Sequence, residues 1–256
     1  MSLPDLSALT YLLLLTAGLV AGTVDAIAGG GGLITLPVLL GLGLPAPLAL
    51  GTNKLGAVFG TTSATWSFAR QGAMKLRECW AGAVWTATGA LAGAACVHLL
   101  DPAFLGRTIP WLLGAMVLYM VCRPQLGEHD RRHRMEAPAF YALFGLGLGF
   151  YDGFFGPGVG SFWNIAFVMV LGFNFVKATA HAKVMNLSSN VAALAFFVSS
   201  GSCLLWPGLA LGAGQLVGGR LGAHLAMSRG ARFVRPVFLL MAGLTVLKLL
   251  YQHYLR

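Results

Sequence analysis

The chain has 256 residues, of which 57% are apolar and only 10% charged, and it carries a formal charge of +9. Soluble domains carry charge on about a quarter of their residues, so this composition excludes an ordinary soluble domain and points to a polytopic membrane protein. The excess of Lys and Arg is not a nucleic-acid surface either. Most of it sits in three short loops, "RQGAMKLRE" (70–78), "CRPQLGEHDRRHRME" (122–136) and "SRGARFVRP" (228–236), the pattern of loops kept on the cytoplasmic side.

In chain order, long apolar segments run over 8–28, 47–69, 79–100, 103–123, 137–156, 175–199, 204–226 and 234–252, near the length of about 20 residues that crosses a hydrocarbon core. The opening "MSLPDLSALT" has no basic n-region, which predicts a retained first helix. Two shorter segments, 33–44 and 160–173, follow the glycine-rich stretches "DAIAGGGGLITLP" and "DGFFGPGVGSFWN". A helix of about 12 residues spans roughly 18 Å, less than the core thickness of about 30 Å, so each predicts a half-helix or one arm of a re-entrant hairpin. The predicted fold class is an all-α membrane protein of about eight long transmembrane helices plus two short broken half-helices.

The halves resemble each other. Asp25 lies opposite Asp152, Gly29 opposite Gly156, Gly43 opposite Gly172, and Lys54 in "GTNKLG" opposite Lys183 in "HAKVMN". Each half reads helix, Asp, Gly-rich break, short helix, long helix with one lysine, then two more helices. The basic loops fall at exchanged places in the two halves, as expected for inverted repeats: 1–123, a basic cytoplasmic linker 124–136, and 137–256. With every basic loop cytoplasmic, both termini are expected outside.

Four consecutive glycines end a helix, since each costs about 1 kcal/mol relative to Ala in a helix interior. Open backbone at membrane depth persists only when buried in protein or lining a wet cavity. The helices restarting near Leu33 and Ser161 present free N–H groups and a positive dipole end, a ready anion site. Gly29, Gly30, Gly31 and Gly32, with Gly156, Gly158, Gly160 and Ser161, are therefore candidate binding residues. Proline in "GPGVG" makes the second break stiffer than "GGGG". By contrast, "GALAGA" and "GLGLGF" read as helix-packing seams.

Lys54 and Lys183 would each cost roughly 2.5–3.5 kcal/mol at the centre of a spanning helix and need a partner. They neutralise an anionic substrate, or they form structural pairs with Asp25 and Asp152, or the roles alternate. Asn53 and Asn186 add donors, and Asn190 shares a helix face with Asn186. His181 faces away from Lys183 and is either a proton relay or a core histidine. His98 and His224 read as interfacial, and Trp66, Trp80, Trp111 and Trp206 as an aromatic belt. Cys79, Cys96, Cys122 and Cys203 have no CxxC spacing and read as free thiols. No P-loop, nucleophile elbow or metal-type cluster is present, and "GTNKLG" lacks the aspartate of an NKxD motif, so no cofactor, metal or ATP drive is expected.

The stretches "DAIAGGGGLITLPVLL", "LALGTNKLGAVFGTTSAT", "GFYDGFFGPGVGSFWNIAFV" and "GFNFVKATAHAKVMNLSSN" resemble the TauE/SafE family, also called the sulfite exporter or TSUP family, and most of all its YfcA-like branch. The resemblance covers roughly residues 12–251. It implies an inner-membrane permease for sulfite, sulfonates or related small organic anions; the residues leave open whether H⁺ or Na⁺ as a coupling ion, or the membrane potential, drives it. The expected partners are thus a small anion and the bilayer, not nucleic acid. An anion channel and, further off, a membrane-embedded enzyme using His181 with a nearby serine are the alternatives.

Overall fold

The computed structural model describes residues 7–97 and 134–254. The expected 103–123 segment, His98, Trp111, Cys122 and most of the basic linker lie outside them. The described residues form eight α-helices and no strand: α1 (Ala8–Ala28), α2 (Gly32–Gly41), α3 (Ala46–Arg70), α4 (Trp80–Cys96), α5 (Ala137–Phe154), α6 (Val159–Met169), α7 (Phe175–Ser199) and α8 (Leu205–Tyr254). A 3₁₀ turn, Leu76–Glu78, precedes α4.

Local chemistry sets the ends. Ser7 caps α1 by accepting from the Thr10 N–H, and Asn174 caps α7 by accepting from the Lys177 N–H. Pro47 sits in the first turn of α3, where its missing N–H costs nothing. The half-helices α2 and α6 close earlier than the expected residues 44 and 173, because Gly43 (φ 80°) and Gly172 (φ 67°) take the left-handed conformation in the turns that follow. The expected segments 204–226 and 234–252 both fall in α8, which joins two helices across a break at the single residue Gly230 (φ 65°, ψ −164°).

Small residues let the long helices touch. A Cβ on Gly18 would lie 2.2 Å from the Leu211 carbonyl oxygen, and one on Gly218 2.2 Å from that of Leu19, so α1 and α8 meet backbone to backbone. The "GALAGA" and "GLGLGF" seams do the same between α4 and α5: Gly93 would meet the Phe150 oxygen at 2.0 Å, and Gly149 that of Thr86 at 2.3 Å. Gly18, Gly22 and Asp25 on α1 are spaced as Gly145, Gly149 and Asp152 on α5; Gly89 and Gly93 on α4 are spaced as Gly218 and Gly222 on α8. Helix α3 also packs on α8, with Leu55 at Gly208, Phe59 at Gly212 and the Ser63 hydroxyl donating to the Leu216 carbonyl (2.7 Å). Both chains advance together along this contact, so α3 and α8 run parallel.

The main core gathers Phe68, Phe140, Trp163, Phe167, Phe175 and Met185 with Ala28 and Val159 of the breaks. Met74, Met135 and Phe233, one from each basic segment, join that same cluster. Trp66, Trp80 and Trp206 are exposed, as an aromatic belt requires. Cys79, Cys96 and Cys203 are free thiols.

Candidate functional site: two broken helices and crossed ion pairs

Helix α1 stops where Gly29 turns left-handed (φ 82°) and its N–H closes on the Asp25 carbonyl at 2.7 Å. Helix α5 stops before Gly156 (φ 92°), and Gly158 (φ 81°) leads into α6. The restarts fall at Gly32 and Val159, one or two residues ahead of the expected Leu33 and Ser161. The two breaks touch. A Cβ on Gly29 would lie 2.3 Å from the Gly160 carbonyl carbon, and one on Gly160 2.5 Å from the Gly29 Cα. Ser161 Oγ adds a hydrogen bond to the Ala28 carbonyl oxygen at 3.0 Å, tying the start of α6 to the end of α1.

The sequence left open whether the lysines meet aspartate or substrate; here both meet aspartate, and crosswise. Lys54 of α3 pairs with Asp152 of α5 at 2.5 Å, and Lys183 of α7 pairs with Asp25 of α1 at 2.7 Å. Lys54 Nζ also donates to Asn190 Oδ1 (3.1 Å), while the second oxygen of Asp152 accepts from Ser189 Oγ. Lys183 Nζ donates a further bond to the backbone oxygen of Asp25 (2.5 Å), and Asp25 Oδ1 accepts from the Gly31 N–H (3.1 Å). Both lysines are buried, at 2% and 0% side-chain exposure. Charges so far from water persist only when paired and hydrogen-bonded, and both pairs meet that condition.

Between the breaks lies a cavity of about 30 Å³, room for a water or two. Of the residues expected at a site, Asp25, Gly29, Gly31, Gly32, Asn53, Lys54, Asp152, Gly156, Gly158 and Asn186 line it. Gly30, Gly160, Ser161, Lys183 and His181 are not among the lining residues. His181 is buried between the rings of Phe167 and Phe173, with Nδ1 bonded to the Lys177 carbonyl oxygen at 2.8 Å. Asn53 Oδ1 accepts from Thr35 Oγ1 (2.5 Å), and Asn186 Oδ1 is buried with no hydrogen-bond partner. An orphaned amide oxygen at a cavity wall is costly unless a water or ligand group reaches it.

Sequence reasoning missed Gln215 and Thr61, which complete the wall. Gln215 is 4% exposed in an otherwise apolar stretch of α8, and a buried glutamine inside a spanning helix was the available signal. Among the described residues, no three His, Cys, Asp or Glu side chains converge as a metal site would require.

Broken helices, charge pairs and a polar cavity enclosed by apolar helices are the construction of a polytopic membrane protein organised around a polar centre. Comparison with known proteins gives the family. The chain belongs to the sulfite exporter TauE/SafE family, whose model matches residues 14–249. A "Probable membrane transporter protein" of Haemophilus influenzae is 44% identical over 243 residues, covering 93% of this chain and 94% of that one. "Probable membrane transporter protein ORF9" of Sinorhizobium sp is 40% identical, over 93% of this chain and 91% of its own. "Probable membrane transporter protein YfcA" of Escherichia coli K12 is 40% identical, over 92% and 88%. No solved structure matches the chain. The chain is therefore an integral membrane protein of a transporter family, and the resemblance read from the glycine and lysine motifs is borne out.

Proposed function

We propose that the protein is a secondary transporter for a small anion, sulfite, a sulfonate or a related organic anion, working by alternating access around the contact of the two breaks. The observation that carries this reading is the pair of crossed Lys–Asp contacts flanking touching helix restarts. The restarts at Gly32 and Val159 bring two helix N-termini beside the cavity, and Lys54 is the only lining residue with full positive charge among the described residues. The cavity is too small for an oxyanion of four or more heavy atoms, so binding requires the breaks to part. An anion entering there competes with Asp152 for Lys54, which lines the cavity, whereas Lys183 stays clasped by Asp25.

The halves are read as inverted repeats, 1–123 and 137–256 about the linker 124–136. Supporting this, α1 packs on α8 while its counterpart α5 packs on α4, an exchanged arrangement, and the left-handed glycines recur as Gly29 with Gly156, Gly43 with Gly172 and Gly72 with Gly201. The shared cluster of Met74, Met135 and Phe233 supports placing all the basic segments on one side, read as cytoplasmic in the inner membrane with both termini outside. Broken helices at the interface of such repeats are where secondary transporters hold substrate and coupling ion.

Thermal unfolding of the purified protein with sulfite, a short alkanesulfonate, acetate, choline and a neutral sulfoxide tests the reading. A ligand at 100 times its Kd stabilises by about 2.7 kcal/mol. A sulfur oxyanion is expected to raise the Tm of the wild type and not of Lys54→Ala. Stabilisation by choline or the sulfoxide alone, or an anion shift undiminished in Lys54→Ala, overturns it.

A further inference from the structure

A second and much larger hollow, about 980 Å³, lies between the C-terminal half of α3 and the parallel stretch of α8. It is not an annex of the central cavity. At about 100° per residue, Lys54, Ala57 and Thr61 share the inner face of α3, whereas Thr62, Trp66 and Arg70 of the groove lie on the opposite face. On α8, Gln215 turns inward while Leu216, Arg220 and His224 turn outward.

The groove has a charged end and an apolar floor. Because α3 and α8 run parallel, Arg70, Arg220 and His224 come to the same end, the one that carries the basic segments 70–78 and 228–236. Among the described residues no carboxylate pairs with any of these three. Along the same face lie Leu216 and Val217, further from that end, and Leu221 between Arg220 and His224, each about half exposed, with Trp66 61% exposed beside them. An unpaired guanidinium beside lipid-facing leucines is costly in hydrocarbon unless it meets an anion at the interface. Arginine forks match phosphate oxygens bidentately, and a tryptophan ring settles at headgroup level.

We propose that this groove binds one anionic phospholipid, its phosphate held by Arg70 and Arg220 with His224 alongside, and an acyl chain laid over Leu216, Val217 and Leu221. Basic hollows between membrane helices on the side of the basic loops favour such headgroups. The proposal is independent of the transported substrate and needs only that the protein sits in a bilayer.

The test measures binding of phosphatidylglycerol and phosphatidylcholine to the delipidated, detergent-solubilised protein by native mass spectrometry. Three forms are compared: the wild type, Arg70→Gln/Arg220→Gln, and the charge-matched control Lys75→Gln/Arg77→Gln, whose residues lie outside the groove. With each basic side chain contributing about 1 kcal/mol, the groove variant is expected to bind phosphatidylglycerol at least about tenfold more weakly, the control within about twofold of wild type. Thermal shift with inorganic phosphate in place of lipid is expected to be flat. Equal binding of both lipids, equal loss in the control, a phosphate shift matching that of phosphatidylglycerol, or occupation of the groove by a second copy that lipid does not displace, overturns the proposal.

Discussion

The two buried lysines look like copies, yet their surroundings differ. Lys54 meets Asp152 and Asn190 at the wall of the central cavity, and Asp152 leans on a side chain, Ser189. Lys183 lies off the cavity, and its partner Asp25 grips it twice, through carboxylate and backbone carbonyl, while a backbone N–H holds the other carboxylate oxygen. One pair is built from side-chain contacts with both partners at the cavity wall, the other from main-chain contacts with only Asp25 reaching that wall. In the proposed carrier that difference would divide the labour between similar motifs: one would release its lysine to a ligand, the other would hold the breaks together.

The sharpest way to break this comparison is to remove each lysine in turn. Lys183→Ala strands the Asp25 carboxylate and is expected to cost about 3–5 kcal/mol, read as a large fall in Tm and yield. Lys54→Ala strands the equally cavity-lining and more deeply buried Asp152 with Ser189 and is expected to cost a similar amount, about 3–5 kcal/mol, while abolishing anion-induced stabilisation. Equal losses of anion-induced stabilisation in the two variants would erase the distinction.

Next in size is a contrast of two glycines with nearly the same backbone. Gly29 (φ 82°) faces Gly160, whereas Gly43 (φ 80°) would find nothing within 4 Å of an added Cβ. Gly43→Ala is expected to cost only the left-handed strain of about 1–2 kcal/mol. Gly29→Ala adds a clash worth about 1–3 kcal/mol more and parts the breaks, so transport in proteoliposomes should fall with it alone. An effect of similar size to that of Gly43→Ala is expected from Ser189→Ala, which removes one donor to Asp152 at about 1.5–3 kcal/mol or less. Its sharper readout is anion affinity: a less firmly held Asp152 should compete differently for Lys54, whereas Ser188→Ala, whose hydroxyl bonds the Ala83 carbonyl, should leave affinity unchanged.

Much of this architecture was legible in the residues. Helices α1 and α7 occupy the expected 8–28 and 175–199, because a Ser or Asn cap begins each and a glycine follows the end of each, at Gly29 and Gly201. The breaks were legible because glycine and aspartate are so costly within a membrane helix. The partners were not. That Lys54 takes Asp152 rather than Asp25 depends on how the halves dock, which no local pattern encodes. Gln215 was missed for a related reason: on α8 it is a lone polar residue in a glycine-rich seam, and only the packing of α3 against that seam brings it to the cavity. The tightness of the break inside α8 was hidden as well, since "SRGARFVRP" has loop composition yet only Gly230, between the two helices joined there, departs from helical geometry.

The crossed pairs carry one more implication. Two ammonium groups and two carboxylates cancel, so an unloaded carrier of this design presents no net charge at its heart. Once a monovalent passenger settles there, the sum becomes negative, and moving that sum through the field is worth about 2.3 kcal/mol per 100 mV. For the proposed carrier, membrane voltage would therefore act on the laden stroke and leave the return stroke nearly untouched.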